Sequence, residues 1–381
     1  MKGTRWILAA ALLIGLLPLR ANAAALAEAG KSAVLMDVTT GTVLYEANSH
    51  EPLAPASVTK VMTMLLIMEA VDSGKIGLQD TVTASEAAAA KGGSQIYLKA
   101  GETMTVSDML KSIAVSSAND CACAMAEHIC GSEAAFVEAM NQRAKELGMR
   151  DTHFVNCTGL DDDDTARQHR TSAHDIALMS RELLKNHPLI KKYTTIWMDT
   201  VRGGAFGLSN TNKLIRFYPG ATGLKTGFTS GAGYCLSASA QRDGMELIAV
   251  VMGAKTSAAR NAACKELLDY GFANFAVIAP ELTEIPGVNV KLGKQDSVSA
   301  ALGESTGLLI DKAQKSAVTT EVALEESVTA PVAQGQRIGT LSIKSGEQTL
   351  RQIPLVASEP VERLTMGDIF VNVLRRAAMA K

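Results

Sequence analysis

Ser57 and Lys60 stand three residues apart in Ala56-Ser57-Val58-Thr59-Lys60, directly ahead of the apolar run 61–70. On a helix that spacing puts a hydroxyl and an amine on one face, within reach of each other. A serine hydroxyl is a poor nucleophile until a base takes its proton. A lysine desolvated against an apolar helix and near another cation has its pKa pushed down, so a neutral amine could serve as that base. The N-terminus of the same helix offers backbone N–H groups and a positive dipole end to an oxyanion. No other serine in the chain has a lysine three residues on.

Two more elements follow in order. Ser117-Ala118-Asn119 lies within Val115 to Asp120, where Ser and Asn at i and i+2 could both face a cleft from a loop. Lys225-Thr226-Gly227 opens a β-favouring run, in which Lys and Gly project to one face and Thr to the other. The glycine permits close approach of an extended ligand backbone. Singly, Ser117 and Asn119 read equally well as turn formers and Lys225 as a solvated strand lysine. Their succession after Ser57 and Lys60 gives them a joint chemical meaning.

These residues need elements to hold them. Residues 32–36 and 42–45 are short β-favouring runs around Thr39-Thr40-Gly41 and read as a hairpin. A second hairpin reads from 234–240, a turn at Arg242-Asp243-Gly244, and 245–252. Between the two the chain is mostly helical. The run 61–70 is apolar almost all round, the mark of a helix buried inside a domain. Segments 134–147 and 175–185 repeat apolar residues at three- and four-residue spacing, and 257–270 is a further helix. The pattern predicts one antiparallel sheet built from the two ends of a domain, residues 24–278, with a helical portion inserted. Residues 279–358 change to short alternating runs (288–292, 317–324, 338–343) separated by Gly, Ser and Pro, which predicts a small all-β domain without a catalytic constellation. Residues 359–381 predict an amphipathic helix: Met366, Ile369, Phe370, Val373, Leu374 and Ala377 share one side, while Arg375, Arg376 and Lys381 crowd its end. Such a helix suits a membrane interface, the alternative being a helix packed on the β domain.

The whole-chain quantities narrow the function classes. The 381 residues predict two domains or a little more, and 47% hydrophobic with 20% charged residues is a globular composition. With 37 basic against 39 acidic residues, the net charge of −2 gives no electrostatic case for a nucleic-acid partner. Aromatics make up only 4%, so the core must come from Ala, Val, Leu, Ile and Met. Lys2 and Arg5, an apolar stretch 6–19 and Ala21-Asn22-Ala23 form an export signal over residues 1–23. An uncleaved anchor is disfavoured because the apolar stretch falls short of the ~20 residues that span a bilayer. The six cysteines read as buried thiols more than as a disulfide framework, since three of them sit in an Ala-rich helical stretch. No metal site and no cofactor are expected: no CxxC pair or HExxH occurs, and the six histidines are scattered.

Taken together the three elements resemble the serine penicillin-recognising enzymes, whose signature is SxxK, SxN and KTG in that order. The chain looks most like the low-molecular-weight D-alanyl-D-alanine carboxypeptidases. The likeness rests on Leu53-Ala54-Pro55-Ala56-Ser57-Val58-Thr59-Lys60, Ser116-Ser117-Ala118-Asn119-Asp120, Phe154-Val155-Asn156 with Gly159-Leu160, and Gly223-Leu224-Lys225-Thr226-Gly227-Phe228-Thr229. Signal, catalytic domain, β-rich second domain and terminal amphipathic helix extend it over essentially the whole chain. It implies an α/β (α+β) catalytic domain of the serine β-lactamase and transpeptidase type, an antiparallel sheet with a helical insertion, followed by the all-β domain.

The resemblance also implies roles. Ser57 would attack the carbonyl between the two terminal D-alanines of a peptidoglycan stem peptide and form an acyl-enzyme, with Lys60 accepting its proton. Ser117 would relay a proton to the departing D-alanine and Asn119 would hold the substrate backbone. Lys225, Thr226 and Thr229 would bind the terminal carboxylate. Gly227 would let the substrate lie close, and the backbone N–H groups of Ser57 and Phe228 would form the oxyanion hole. Penicillin and other β-lactams would be covalent inhibitors, and the protein would work at the outer face of the cytoplasmic membrane. A β-lactamase is the runner-up. Class A enzymes carry Glu-x-x-Leu-Asn between the second and third motifs, and the nearest match, Glu182-Leu183-Leu184-Lys185-Asn186, has Lys where Leu belongs. A wall-binding module with a dead site is opposed by the intact Ser57, Lys60, Ser117, Asn119 and Lys225, since pure binding needs no nucleophile.

Overall fold

The computed structural model describes residues 29–161, 164–278, 285–304 and 307–371. The export signal and the last ten residues of the terminal helix expected from the sequence lie outside them. Apolar alternation builds the sheet. In β1 (Ser32–Asp37) Ala33 and Leu35 face one side while Val34 and Met36 face the other, and all four are buried. Strand β1 returns antiparallel into β2 (Val43–Ala47), the turn being held by Asp37, whose carboxylate accepts from the backbone and hydroxyl of Thr40, each at 2.7 Å.

The chain then leaves the sheet for a helical body. It comprises α1 (Lys60–Asp72), α2 (Val106–Ser116), α3 (Asn119–Cys130), α4 (Glu133–Glu146) and α5 (Ala173–Asn186). Side-chain caps fix the starts of three of them. Thr105 accepts from Asp108 N, Ser132 from Ala135 N and Ser172 from Asp175 N. Helix α1 is apolar on every side because it is enclosed on every side: Met62, Met64, Leu65, Ile67 and Met68 are fully buried.

The chain re-enters the sheet through β3 (Ala221–Thr229), β4 (Gly233–Arg242) and β5 (Met245–Ala254). The spatial order is β2-β1-β5-β4-β3, so the two ends of the domain close one antiparallel sheet. Helix α6 (Ser257–Asn274) packs Ala263, Leu267, Leu268 and Phe272 against one face, with Leu35, Leu247 and Val251; the helical body covers the other face. Beyond α6, the strand Phe275–Ile278 pairs antiparallel with Leu308–Asp311. The β-rich part that follows holds a four-stranded sheet around the long hairpin of Arg337–Ser345 and Gln348–Ala357, and a three-stranded sheet around Val288–Lys291. Their inner faces bury Ile338, Leu341, Ile343, Ile353 and Leu355.

Three local expectations are adjusted. Ser57 does not stand in the first turn of the regular helix. It lies in a 3-10 turn, Ala56–Thr59, which runs into α1 at Lys60 and whose Ala56 has φ of +49°. Lys225 does not open its strand, because Ala221 to Leu224 already pair with β4, and Lys225 sits opposite Ser237. Asn119 is not in a loop: Ser117, with φ of +63°, ends α2 in the left-handed region, and Asn119 is the first residue of α3. All six cysteines are unpaired, five of them buried. Residues 366–371 are helical, started by a reciprocal cap in which Thr365 N donates to the Asp368 carboxylate and Asp368 N donates to Thr365 Oγ1. Among the described residues, no helix is long and apolar enough to cross a membrane.

Candidate active site

The tight turn before α1 brings the hydroxyl and amine together. Lys60 Nζ lies 3.0 Å from Ser57 Oγ and donates to the carbonyl of Thr158 at 2.8 Å. Lys60 is fully buried, while Ser57 is half-buried. Burial pushes the amine from 10.5 down to about 7, against the opposing pull of Cys157 and Asp120. A lysine in that range is neutral in a large fraction of molecules at neutral pH, as a base must be.

The loop that holds Lys60 from behind is built by Asn156. Its side-chain carbonyl accepts from Thr158 N at 3.1 Å and Gly159 N at 2.7 Å, while its amide donates to Leu160 O at 3.0 Å. Gly159 has φ of +80°, and a Cβ there would lie 1.9 Å from Ala56 O, so only glycine lets this loop press against the Ala56–Thr59 turn. Thr63 Oγ1 donates to Cys157 O at 2.6 Å and ties the loop to α1. From the other side, buried His169 contacts Thr59 Oγ1 through Nε2 at 2.8 Å and accepts from Val155 N on Nδ1 at 3.1 Å. Because Nδ1 is an acceptor, Nε2 carries the proton and donates to Thr59, which itself donates to Ala56 O at 2.8 Å. Burial lowers the His169 pKa to about 4, which keeps this neutral tautomer in place.

Strand β3 forms the edge of the sheet beside this turn. A Cβ on Gly227 would come within 2.7 Å of Pro55 O and 3.1 Å of Ser57 N, so the strand and the turn that carries Ser57 touch through their backbones. Lys225 is buried, donates to Thr226 O at 2.9 Å, and is held well below the ordinary lysine range by burial and by repulsion from Lys60 and Arg260. Thr226 Oγ1 donates to Thr211 Oγ1 at 2.7 Å, and Thr211 N donates in turn to Val115 O at the end of α2. Thr229 Oγ1 accepts from Ala232 N at 3.0 Å. Phe228 is 54% exposed, its ring lying 4.3 Å from that of Tyr234.

Ser117 and Asn119 complete the set. The Ser117 hydroxyl and the Asn119 side-chain oxygen are both buried without a hydrogen-bond partner among the described residues. Orphaned polar atoms of this kind cost stability unless a ligand or water meets them. The Asn119 amide donates to Gly92 O at 2.7 Å, which fixes the side chain with its unpartnered carbonyl left to accept from an incoming N–H. Ser117 makes no direct bond to Ser57, Lys60 or Lys225. The neighbouring Asp120 is fully buried and accepts from Ile96 N at 3.1 Å, Leu98 N at 3.0 Å and Cys121 N at 2.9 Å.

Thr158, Asn156, His169, Thr211 and Asp120 had no assigned role in the sequence reading. Asn156 and Gly159 were visible as motif residues, but their partners are far away in the chain. Glu182, the nearest match to a β-lactamase deacylation base, is occupied: its carboxylate receives Arg143 at 2.7 Å and the Asn186 amide at 2.9 Å. Glu69, Glu182 and His187 are mutually close enough to hold a cation, but the Arg143 guanidinium already bridges the two carboxylates.

Comparison with known proteins gives the same picture. Residues 20–256 match the family described as D-alanyl-D-alanine carboxypeptidase, and residues 283–363 match the penicillin-binding protein 5 C-terminal domain. The chain is 46% identical to the D-alanyl-D-alanine carboxypeptidase DacF of Bacillus subtilis, over 90% of each chain. It is 34% identical to the D-alanyl-D-alanine carboxypeptidase DacC of Escherichia coli, over 89% of this chain and 85% of that one. Among solved structures it is similar to penicillin-binding protein 5 from Haemophilus influenzae, with a TM-score of 0.74 and 32% identity, over 88% of this chain and 98% of that one. It is also similar to penicillin-binding protein D2 from Listeria monocytogenes in an ampicillin-bound form, with a TM-score of 0.58 and 32% identity, over 64% of this chain and 98% of that one.

Proposed function

The chain belongs to the D-alanyl-D-alanine carboxypeptidase family, and from that premise we propose how its residues remove the terminal D-alanine of a peptidoglycan stem peptide. The observation that carries the reading is the buried Lys60 amine, 3.0 Å from Ser57 Oγ and anchored by the Thr158 carbonyl. Ser57 attacks the carbonyl between the two D-alanines while neutral Lys60 takes the hydroxyl proton. The Ser57 and Phe228 N–H groups receive the oxyanion. Ser117 passes a proton to the nitrogen of the leaving D-alanine as the C–N bond breaks, and water then hydrolyses the Ser57 ester. The free Asn119 carbonyl accepts from a substrate amide. Lys225, Thr226 and Thr229 bind the terminal carboxylate, beside Gly227.

Lys60 and Lys225 are both buried and Lys60 is one of the cations that hold Lys225 below its ordinary range, so both amines charged together would need a counter-ion. An arriving carboxylate supplies one at Lys225, so substrate binding favours the ammonium there and, by repulsion, the neutral amine at Lys60. The serine hydrolase activity is thereby coupled to the terminal carboxylate that defines a carboxypeptidase substrate. β-Lactams present a similar acyl group and carboxylate and acylate the same serine.

We further propose that the chain is exported and that its terminal helix rests on the membrane. Met366 is 83% exposed and Phe370 65%, an apolar side with nothing packed over these two among the described residues. The deciding experiment incubates the protein with a pentapeptide ending in D-Ala-D-Ala while free D-alanine is followed, alongside labelling with a fluorescent penicillin. D-Alanine release and a label that disappears in Ser57→Ala are expected. Rapid loss of the label would favour a β-lactamase, and labelling without D-alanine release would reject the carboxypeptidase.

A further inference from the structure

Tyr97 is the most constrained exposed residue near the Ser117–Asn119 element. Its φ of +60° is in the left-handed region, which bulky residues rarely adopt, and its side chain is 67% exposed. The backbone is fixed from both sides. Asp120, next in the chain to Asn119, accepts from Ile96 N and Leu98 N. Arg202, itself at φ of +56°, donates to Ile96 O at 2.7 Å and Tyr97 O at 3.3 Å, and is pinned by Glu102 at 2.6 Å. Strain held this firmly at an exposed aromatic points to a ligand contact.

The ring's neighbours connect it to both walls of the cleft. Tyr97 meets Phe206 edge-on at 6.3 Å, and the Arg202 guanidinium lies over Phe206 at 5.4 Å. The strand Phe206–Ser209 leads on to Thr211, the hydroxyl partner of Thr226. On the other side, Ser94 O accepts from Asn119 N at 2.7 Å, three residues before Tyr97. The Tyr97 segment is therefore continuous with the wall that presents the Asn119 carbonyl, whereas the terminal carboxylate goes to Lys225 and Thr229 on β3. A bound peptide whose C-terminus lies at β3 must carry its preceding residues towards the Asn119 side.

We propose that Tyr97 is a specificity-determining residue that receives the stem-peptide residue preceding the two D-alanines, packing its ring against the aliphatic part of that side chain. This rests on the carboxypeptidase reading. It implies that the protein distinguishes a long donor peptide from a bare D-Ala-D-Ala unit, with Asp120 and Arg202 as positioning residues for the Tyr97 backbone.

The test compares kcat/KM for the pentapeptide with kcat/KM for N-acetyl-D-Ala-D-Ala in the full chain and in Tyr97→Phe, Tyr97→Ala and Tyr97→Gly, with penicillin labelling of Ser57 measured in parallel. The pentapeptide-to-dipeptide ratio should fall about five- to tenfold in the alanine and glycine variants, as expected for loss of one aromatic contact. It should be retained in Tyr97→Phe. Tyr97→Gly should melt above Tyr97→Ala, since glycine alone adopts this φ freely, yet lose the ratio equally, which separates the ring from the backbone. An unchanged ratio in both variants, or an equal fall on both substrates, overturns the role of Tyr97. Failure of the unsubstituted chain to take up penicillin rejects the carboxypeptidase reading instead.

Discussion

Lys60 shows how one residue trades stability for chemistry. Between about 7, its folded value, and 10.5, its ordinary value, the unfolded chain holds a proton that the native amine lacks. The contribution of this group to stability therefore rises as pH increases through that window and is least favourable below it. Catalysis has the same sign: the rate of Ser57 acylation by penicillin should fall as pH drops below about 7, where Lys60 becomes an ammonium ion. Stopped-flow labelling across pH 5 to 9 measures this, and a flat profile would remove Lys60 as the base. Lys60→Met should abolish acylation while raising stability at neutral pH by on the order of 1–2 kcal/mol, because it no longer buries an amine. Thermal unfolding of the two proteins tests the second half. At this scale the proximity of Ser57 and Lys60 was legible in the sequence, because a local spacing rule joins them. Thr158 and His169 were not, since their contacts span about a hundred residues of chain and no spacing rule reaches that far.

Elements bring these residues into register, and glycines set how closely they approach. Gly159 combines a φ of +80° with a Cβ position 1.9 Å from Ala56 O. Gly159→Ala should cost on the order of 3 kcal/mol or more and slow acylation disproportionately, because relieving the clash moves the Thr158 carbonyl off Lys60. Differential scanning calorimetry with parallel penicillin labelling checks both, and a variant that melts and labels normally would show that the close approach is dispensable. The two hairpins and the long helices were readable from hydrophobic period and turn chemistry. The 3-10 turn around Ser57 was not: Ala56 at φ of +49° is held by the local Thr59 bond together with the His169 and Gly159 contacts, and the last two are remote in sequence. The true start of β3 was hidden for a related reason. Ala221 and Gly223 have weak strand preference, and pairing with β4 makes them part of the strand.

In the whole molecule, the chain leaving α6 meets the β-rich part through a separate two-stranded sheet, the antiparallel pair of Phe275–Ile278 and Leu308–Asp311. Lys312 adds to this junction by donating to Phe272 O at 2.5 Å. The composition change after α6 made the all-β part visible, but not this pairing, since two four-residue strands carry little signal. Beyond it the exposed Met366 and Phe370 give the membrane proposal a direct test. Met366→Asp with Phe370→Asp should reduce cosedimentation with vesicles of mixed phosphatidylglycerol and phosphatidylethanolamine severalfold, while release of D-alanine from soluble pentapeptide is retained. Undiminished sedimentation would reassign this segment to a packing role.

The position of β1 has one more effect. The first strand among the described residues lies in the interior of the sheet, paired along its whole length with β5, whose residues are the last of that sheet to be made. If the chain is exported end-first, as proposed, that leading segment stays unpaired until its partner has emerged, and such remote pairings assemble slowly. In the sheet β3 reaches β1 only through β4 and β5, so a chain halted before β5 would hold Ser57 without β3 docked beside it.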